Sequence, residues 1–261
     1  MATLTPEDRL TLFEHLDELR KRIFVVLIAL VVGVLIAALF NSFMFDVLLH
    51  PLRTIPNLPA SATKITTFSP AEPFMVSLKV WVAGGLILAS PVIIWELWAF
   101  VAPAFTANEK KWFYPIVFST TVLFLGGCAL AYFLVLPKGL GWLLGFSSGF
   151  FNVQLRAEDY FTFMALFIVA FGAVFELPVI LVALAKVGVI DDRFLKKNRR
   201  YAIVILAVAA AVITPSQDAF SMLAMFVPLY VLYEVSVVLA RLVQPKREVR
   251  PAVEDSGGAP A

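Results

Sequence analysis

Long apolar runs separated by short polar segments dominate the pattern of hydrophobic and polar positions along the chain. A helix needs about 20 apolar residues to cross about 30 Å of hydrocarbon. Six runs approach or exceed this length, at 23–40, 74–104, 113–136, 159–185, 201–213 and 219–240. The pattern therefore predicts an all-α polytopic membrane protein with six transmembrane helices in a bundle.

The fifth run is unusually short. The 13 residues from Tyr201 to Ile213 would form a helix only about 20 Å long. Together with the tight turn "TPSQD" that follows, this predicts that the last two spans are short and lie in a locally thinned bilayer. The alternatives are a broken helix shielded by its neighbours, or a helix that begins earlier, with Arg199 and Arg200 reaching to the membrane surface.

Composition and charge agree with a membrane location. Hydrophobic residues make up 61% of the chain and charged residues 15%, with a mean hydropathy of +0.88, far from the balance of soluble domains. Sixteen Lys and Arg residues flank the runs on one side of the predicted membrane and four on the other. Since positive charge is retained in the cytoplasm, both termini are predicted to be cytoplasmic.

The runs and their flanks predict a single transmembrane domain over 1–240 and a polar cytoplasmic tail at 241–261 that we expect to be disordered. Apolar residues recur every three or four positions between Leu10 and Ile23, which predicts an amphipathic helix at 5–22 leading into the first span.

Two segments are predicted on the outer side. Five prolines fall in 41–73, where they are expected to block helix continuation and form a stiff cap. The Gly- and Phe-rich segment 137–158 is expected to lie against the membrane interface.

The sequence offers little for catalysis or metal binding. Cys128 is the only cysteine and lies in an apolar run, and the predicted topology separates His15 from His50, the only histidines. No nucleophile elbow, HExxH, P-loop or dinucleotide motif occurs. We therefore expect no enzymatic activity, no catalytic residues, no metal and no cofactor.

Acidic residues cluster before the first span, at Glu14, Asp17 and Glu18, beside the basic residues Arg20 to Arg22. One interpretation is a solvated helix face with an intrahelical pair from Glu18 to Arg22. Another is a binding site: Glu109 is predicted on the same membrane side, and carboxylates there could bind a cationic peptide through its guanidinium groups.

Carboxylates also fall inside the apolar runs. Glu176 lies ten residues before Lys186, about 15 Å into the membrane, where an acid normally faces the bundle interior or a partner. It could position helices, contact another protein's helix or relay protons. Glu96 and Glu234 are predicted to lie at shallower depths. Asp218 is expected to be exposed in the outer turn before the last helix, which it could cap.

Seven stretches occur in the order typical of one family: "HLDELRKRI" (15–23), "FSPAEPF" (68–74), "SPVIIWELWAFVAPAFTANEK" (90–110), "AYFLVLP" (131–137), "FGAVFELP" (171–178), "VITPSQD" (212–218) and "PLYVLYE" (228–234). Together they resemble TatC, the multi-spanning subunit of the twin-arginine protein translocase. The resemblance implies a core receptor in the bacterial cytoplasmic (inner) membrane, which exports folded proteins by using the proton-motive force.

The resemblance also implies roles for particular residues. Glu18 and Glu109 would bind the twin-arginine signal peptide of folded cargo, near Arg20, Phe100 and Pro103. Glu176 would lie on the concave face of a cupped bundle and contact single-span partners of the TatA/TatB type, with self-association of the subunit also expected. Positions that the family pattern marks on the outer side are Pro51, Tyr132 and Asp218.

One position departs from the family pattern: residue 96 is Glu, where Q-x-W-x-F motifs carry an amide, so a second acid accompanies Glu176 within the bundle. The rival hypothesis is a proton-coupled small-solute permease that uses Glu176, Glu96 and Lys79. The lack of an internal repeat counts against it. A structural membrane scaffold is a third interpretation.

Overall fold

The computed structural model describes residues 12–55, 65–102, 113–145, 154–186, 188, 190–213 and 219–243. These residues are nearly all helical, as predicted. The elements are α1 (Leu12–Leu39), α2 (Asn41–Arg53), β1 (Ile65–Thr66), α3 (Glu72–Val101), α4 (Phe113–Leu130), a π-helical turn (Ala131–Val135), α5 (Leu136–Gly145), β2 (Leu155–Arg156), α6 (Ala157–Val174), α7 (Leu177–Lys186), α8 (Asp192–Lys197), α9 (Arg199–Ile213) and α10 (Ala219–Val243).

Five helical stretches in this part of the chain are long and apolar enough to cross a membrane: Glu14–Leu39, Glu72–Val101, Phe113–Gly145, Ala157–Lys186 and Ser221–Leu242. The helix α9 is shorter, with 15 residues or about 22 Å, and begins two residues before the predicted start at Tyr201. The prediction of a short last helix is wrong, because α10 runs for 25 residues through Pro228. A total of six crossings stays a prediction.

The amphipathic segment and the first span form one continuous helix from Leu12 onward. This helix packs against α3 at two glycines, where the backbones touch. A Cβ at Gly33 would lie 2.5 Å from the carbonyl oxygen of Gly85, and one at Gly85 would lie 2.6 Å from the amide nitrogen of Val34. Only glycine allows this approach, so the α1/α3 contact is fixed by small residues, as in many membrane helix pairs.

The core is centred on α6, where Met164, Phe167 and Phe171 are fully buried. A second close crossing lies beside it: a Cβ at Gly127 of α4 would lie 2.8 Å from the Phe171 carbonyl oxygen. The helix α6 therefore packs between α3 and α4. Side chains on its inner face contact protein and not lipid.

The prediction that proline blocks the helix after the first span is wrong at Pro51, which lies inside α2 and is buried. Proline has no N–H to donate to the carbonyl four residues earlier, here that of Val47. The Tyr132 hydroxyl donates to this carbonyl instead, at 2.8 Å. Tyr160 donates to the neighbouring Leu48 carbonyl at 2.7 Å, so two tyrosines hold α2 against the bundle.

The third span extends beyond its predicted end at 136. A π-helical turn, in which the Leu136 N–H donates to the Ala131 carbonyl, leads into α5. Leu136, Leu140 and Leu144 are buried at four-residue spacing, which makes a continued helix favourable. The segment 137–158 thus begins as helix, and its place against the membrane interface stays a prediction.

The two predicted outer segments meet in a parallel pair of two-residue strands, with Ile65 opposite Leu155 and Thr66 opposite Arg156. Glu72, at the start of α3, is 4% exposed and lies beside this pair of strands. Its carboxylate accepts hydrogen bonds from the Phe68 and Glu158 N–H groups at 2.9 and 3.1 Å. It thereby links the start of α3 to the start of α6.

Candidate functional site

Three charged side chains meet where the first turns of α1 face the end of α3. The Arg22 guanidinium donates from Nε to Glu18 Oε1 at 3.0 Å and from Nη1 to Glu96 Oε2 at 2.9 Å. Its Nη2 contacts the same Glu18 oxygen. The predicted Glu18 to Arg22 pair is confirmed, and Glu96 joins it from 74 residues away. Because the side chains are only 15 to 25% exposed, solvent screens this Glu18/Arg22/Glu96 cluster only in part.

An aromatic contact fixes the two helices beside the cluster. The His15 and Phe100 rings stack with their centroids 4.2 Å apart, which places the last turn of α3 against the first turns of α1. At the start of α4, Phe113 packs edge-on against Trp95 of α3, with centroids 5.3 Å apart. Phe100 and Phe113, on either side of the undescribed residues 103–112, therefore lie at this end of the bundle.

Only some of the other residues predicted for signal-peptide binding lie near the Glu18/Arg22/Glu96 cluster. The exposed Arg20 lies two positions from Glu18, on a different face of α1, and its guanidinium lies 5.8 Å from the Phe24 ring centroid. Phe100 contacts the site through His15. Pro103, Glu109 and Asp218 lie outside the described residues.

Glu176 occupies a break in its span. The helix α6 ends at Val174 and α7 begins at Leu177, so the predicted span at 159–185, which falls within the membrane-length stretch Ala157–Lys186, is interrupted at Glu176. Pro178 explains the break, since proline cannot donate a backbone hydrogen bond and its ring would clash with the preceding turn. The Glu176 N–H donates to the Ala173 carbonyl at 3.1 Å, which holds the residue in a tight turn between the two helices.

The Glu176 carboxylate is buried without a partner in the described part of the chain: neither oxygen accepts a hydrogen bond. The same is true of Trp98 Nε1 and Thr120 Oγ1, on the two helices that pack against α6. Buried polar atoms are nearly always hydrogen-bonded in native proteins. Among the described residues, three side chains with four such atoms therefore depart from this rule: Trp98 on α3, Thr120 on α4 and Glu176 at the α6/α7 break.

The charged residues of the permease hypothesis are held apart. Glu96 pairs with Arg22 at one end of α3, whereas the Lys79 ammonium pairs with Glu158 at 3.0 Å near the other end. These α3 residues are about 25 Å apart along the helix. Among the described residues Glu176 bonds to neither, so no polar path across the membrane connects the three.

Sequence reasoning missed two carboxylate contacts that organise the fold. Glu234 accepts hydrogen bonds from Arg199 at 2.7 Å and from the Tyr230 hydroxyl at 3.1 Å, and thereby ties α9 to α10. Glu72 accepts a hydrogen bond from Arg156 Nε at 3.1 Å, which raises the pKa of the Arg156 guanidinium. The sequence does show each of these two acids in or beside an apolar run. It does not show the partners, because most of them are distant in sequence.

Both the sequence and the fold of the chain match those of known proteins. The family model for the Sec-independent protein translocase protein (TatC) matches residues 14–228. The chain belongs to the TatC family. It is 38% identical to TatC of Carboxydothermus hydrogenoformans over 241 residues, which cover 92% of this chain and 97% of the relative.

Other TatC relatives agree. TatC of Aquifex aeolicus is 38% identical, with 92% of this chain and 99% of the relative covered. A crystal structure of the twin-arginine translocase receptor TatC superposes with a TM-score of 0.79 at 39% identity, covering 88% of this chain and 99% of the other. This TatC-family chain is thus a membrane-embedded component of a protein translocase, not an enzyme.

Proposed function

We propose that the chain is the core receptor of a twin-arginine translocase, and that it binds the signal peptide of folded cargo at the Glu18/Arg22/Glu96 cluster. The supporting observation is that Glu18 already holds a guanidinium: Arg22 contacts its carboxylate through two nitrogens. A half-buried carboxylate in this setting favours arginine, whose fixed planar donors suit it, over the point charge of lysine.

Glu96 lets the cluster accept a second guanidinium. Glu18 Oε1 accepts hydrogen bonds from Arg22, while Oε2 lies 3.9 Å from His15 Nδ1 and accepts no hydrogen bond from the described residues. When an arginine of the signal peptide binds the Glu18 carboxylate, Arg22 remains paired with Glu96, which it contacts at 2.9 Å. The partly buried Arg22 guanidinium is therefore not left without a counter-ion.

Glu109 supplies the second carboxylate of the proposed site. The connection that contains it starts after Ala102 and ends before Phe113, and both ends pack beside the cluster. Two acidic positions match the two adjacent guanidinium groups of the peptide. Pro103 would restrict the backbone where the connection begins.

A second site serves the partner subunits. The Glu176 carboxylate, buried and without a hydrogen bond from the described residues, receives a polar side chain of a TatA/TatB-type single-span helix. With both termini in the cytoplasm of a bacterial cell and α9 completing six crossings, the Glu18 end faces the cargo. Assembly at Glu176 and export then draw on the proton-motive force.

Peptide binding to the purified full-length protein tests the receptor site. A twin-arginine peptide and its twin-lysine version are titrated against the wild type, Glu18→Gln and Glu109→Gln. Loss of one charge-assisted hydrogen bond weakens binding by about tenfold or more, so each variant should lose that factor for the arginine peptide only.

Asp17→Asn is the matched control, since Asp17 is the exposed acid adjacent to Glu18 on another helix face. It should bind like the wild type. Equal binding of both peptides, or equal losses in Asp17→Asn and Glu18→Gln, would reject the proposed site.

A further inference from the structure

A cavity on the outer side of the bundle carries charge of both signs. It has a volume of about 650 Å³ and lies between α5 and the start of α6, with Lys79, Arg156, Glu158 and Asp159 in its wall. We call these four residues the charged mouth. Their formal charges cancel, so the mouth suits a ligand that itself carries one positive and one negative group.

An apolar groove continues from the mouth along α3 and α6. Its volume is about 350 Å³, and its walls include Val82 and Leu86 of α3 and Leu166 and Val169 of α6. Lys79 and Thr162 line both cavities, which makes the mouth and the groove one continuous surface. From Lys79 to Leu86 the groove extends about 10 Å along the helix axis.

Donors and acceptors remain available in the mouth. An ammonium group has three N–H donors, and that of Lys79 uses one for Glu158 at 3.0 Å and one for Thr162 at 3.2 Å. The exposed Asp159 carboxylate accepts no hydrogen bond from the residues that the structure describes. The third Lys79 donor suits a phosphate oxygen, and Asp159 suits a primary ammonium.

We propose that the charged mouth and the groove bind one phospholipid whose zwitterionic head carries a primary ammonium, as in phosphatidylethanolamine. The phosphate lies at the remaining Lys79 donor and beside Arg156, whose guanidinium also contacts Glu72 at 3.1 Å and Glu158 at 3.0 Å. The ammonium lies at Asp159, and one acyl chain lies in the α3/α6 groove. A head with net negative charge is disfavoured by Glu158 and Asp159. The lysine stem, running from within the span to the mouth, places the phosphate where lipid heads meet hydrocarbon.

Native mass spectrometry of the purified full-length protein tests this site. The protein in detergent is titrated with phosphatidylethanolamine, phosphatidylcholine or phosphatidylglycerol of identical acyl chains, and retained lipid is counted. Phosphatidylethanolamine should be retained about tenfold better than the others, because the quaternary ammonium of phosphatidylcholine donates no hydrogen bond and phosphatidylglycerol lacks the cation.

Two variants with matched controls locate the binding. Asp159→Asn should abolish the preference for phosphatidylethanolamine over phosphatidylcholine, whereas Asp46→Asn, an exposed acid of α2, should keep it. Val82→Trp should fill the groove and lower retention of every lipid about tenfold. Val122→Trp should not, although Val122 on α4 is similarly exposed, at 51% against 45% for Val82.

Three outcomes would overturn the proposal: equal retention of the three lipids, preference for phosphatidylglycerol, or equal effects of variants and controls. None of these depends on signal-peptide binding.

Discussion

Hydroxyl groups take over hydrogen bonds that prolines remove from helices of this chain. Pro51 leaves the Val47 carbonyl without a backbone donor, and Tyr132 donates to it at 2.8 Å. Pro91 does the same to the Ile87 carbonyl, and the adjacent Ser90 hydroxyl donates to it at 2.7 Å. Where no water is available, such replacement allows a helix to continue through proline.

Replacing Tyr132 with Phe should therefore destabilise the protein. The half-buried Val47 carbonyl would lose its donor while the ring packing is kept, at a cost of about 1 kcal/mol and at most about 3. Thermal unfolding in detergent measures this as a lower midpoint. Tyr114→Phe is the control, because Tyr114 is 70% exposed; an equal shift in both variants would show that the Val47 bond contributes nothing.

At the scale of single elements, close backbone contact decides which helices pair. The α1/α3 crossing at Gly33 and Gly85 and the α4/α6 crossing at Gly127 and Gly172 leave no room for a Cβ. By contrast, a Cβ at Gly126 meets nothing within 4 Å. Gly85 and Gly127 are thus needed for close helix contact and Gly126 is not, although all three lie in apolar runs.

Gly85→Ala should separate α1 from α3, because the added Cβ would lie 2.6 Å from the backbone of Val34. Forced overpacking of this kind costs about 1–3 kcal/mol. Gly126→Ala should leave stability unchanged or raise it by up to about 1 kcal/mol, since alanine favours helix. Unfolding of the two variants in the same detergent compares them, and equal stability would contradict a tight α1/α3 contact.

At the scale of the whole molecule, the proposed functions lie in different parts of the bundle. The Glu18/Arg22/Glu96 cluster joins α1 to α3 at one end, whereas Glu176 lies at the α6/α7 break. Apolar side chains such as Ile28, Val31 and Leu35 are exposed along α1, as expected of a helix in contact with lipid. Signal capture and partner assembly should therefore be separable by mutation.

Glu176→Ala should weaken crosslinking to a TatA/TatB-type partner by about tenfold while twin-arginine peptide binding stays within twofold. The physical reason is that the buried carboxylate at the break accepts no hydrogen bond from the described residues and can therefore accept one from the partner helix. Site-specific crosslinking in membranes and peptide titration give the two readings. Glu18→Gln should show the reverse pattern, and parallel loss of both activities in Glu176→Ala would refute the separation.

Much of the fold could be predicted from the sequence, because long apolar runs leave the backbone no alternative to helix in a membrane. The positions of α3, α6, α9 and α10 were predicted in this way. The Glu18 to Arg22 pair was also predictable, since residues four apart share a helix face. The resemblance to TatC rested on short motifs spread along the chain, and the family comparison confirmed it.

Contacts between residues distant in sequence were decided only by the tertiary structure. Arg22 meets Glu96, and Arg156 meets Glu72, because helix packing brings their ends together. Tyr132 likewise allows α2 to continue through Pro51, which the local rule for proline excludes. The apolar pattern determined that the chain crosses the membrane as helices. Packing determined where those helices break and which buried charges are paired, because a carboxylate's partner depends on its neighbours in space.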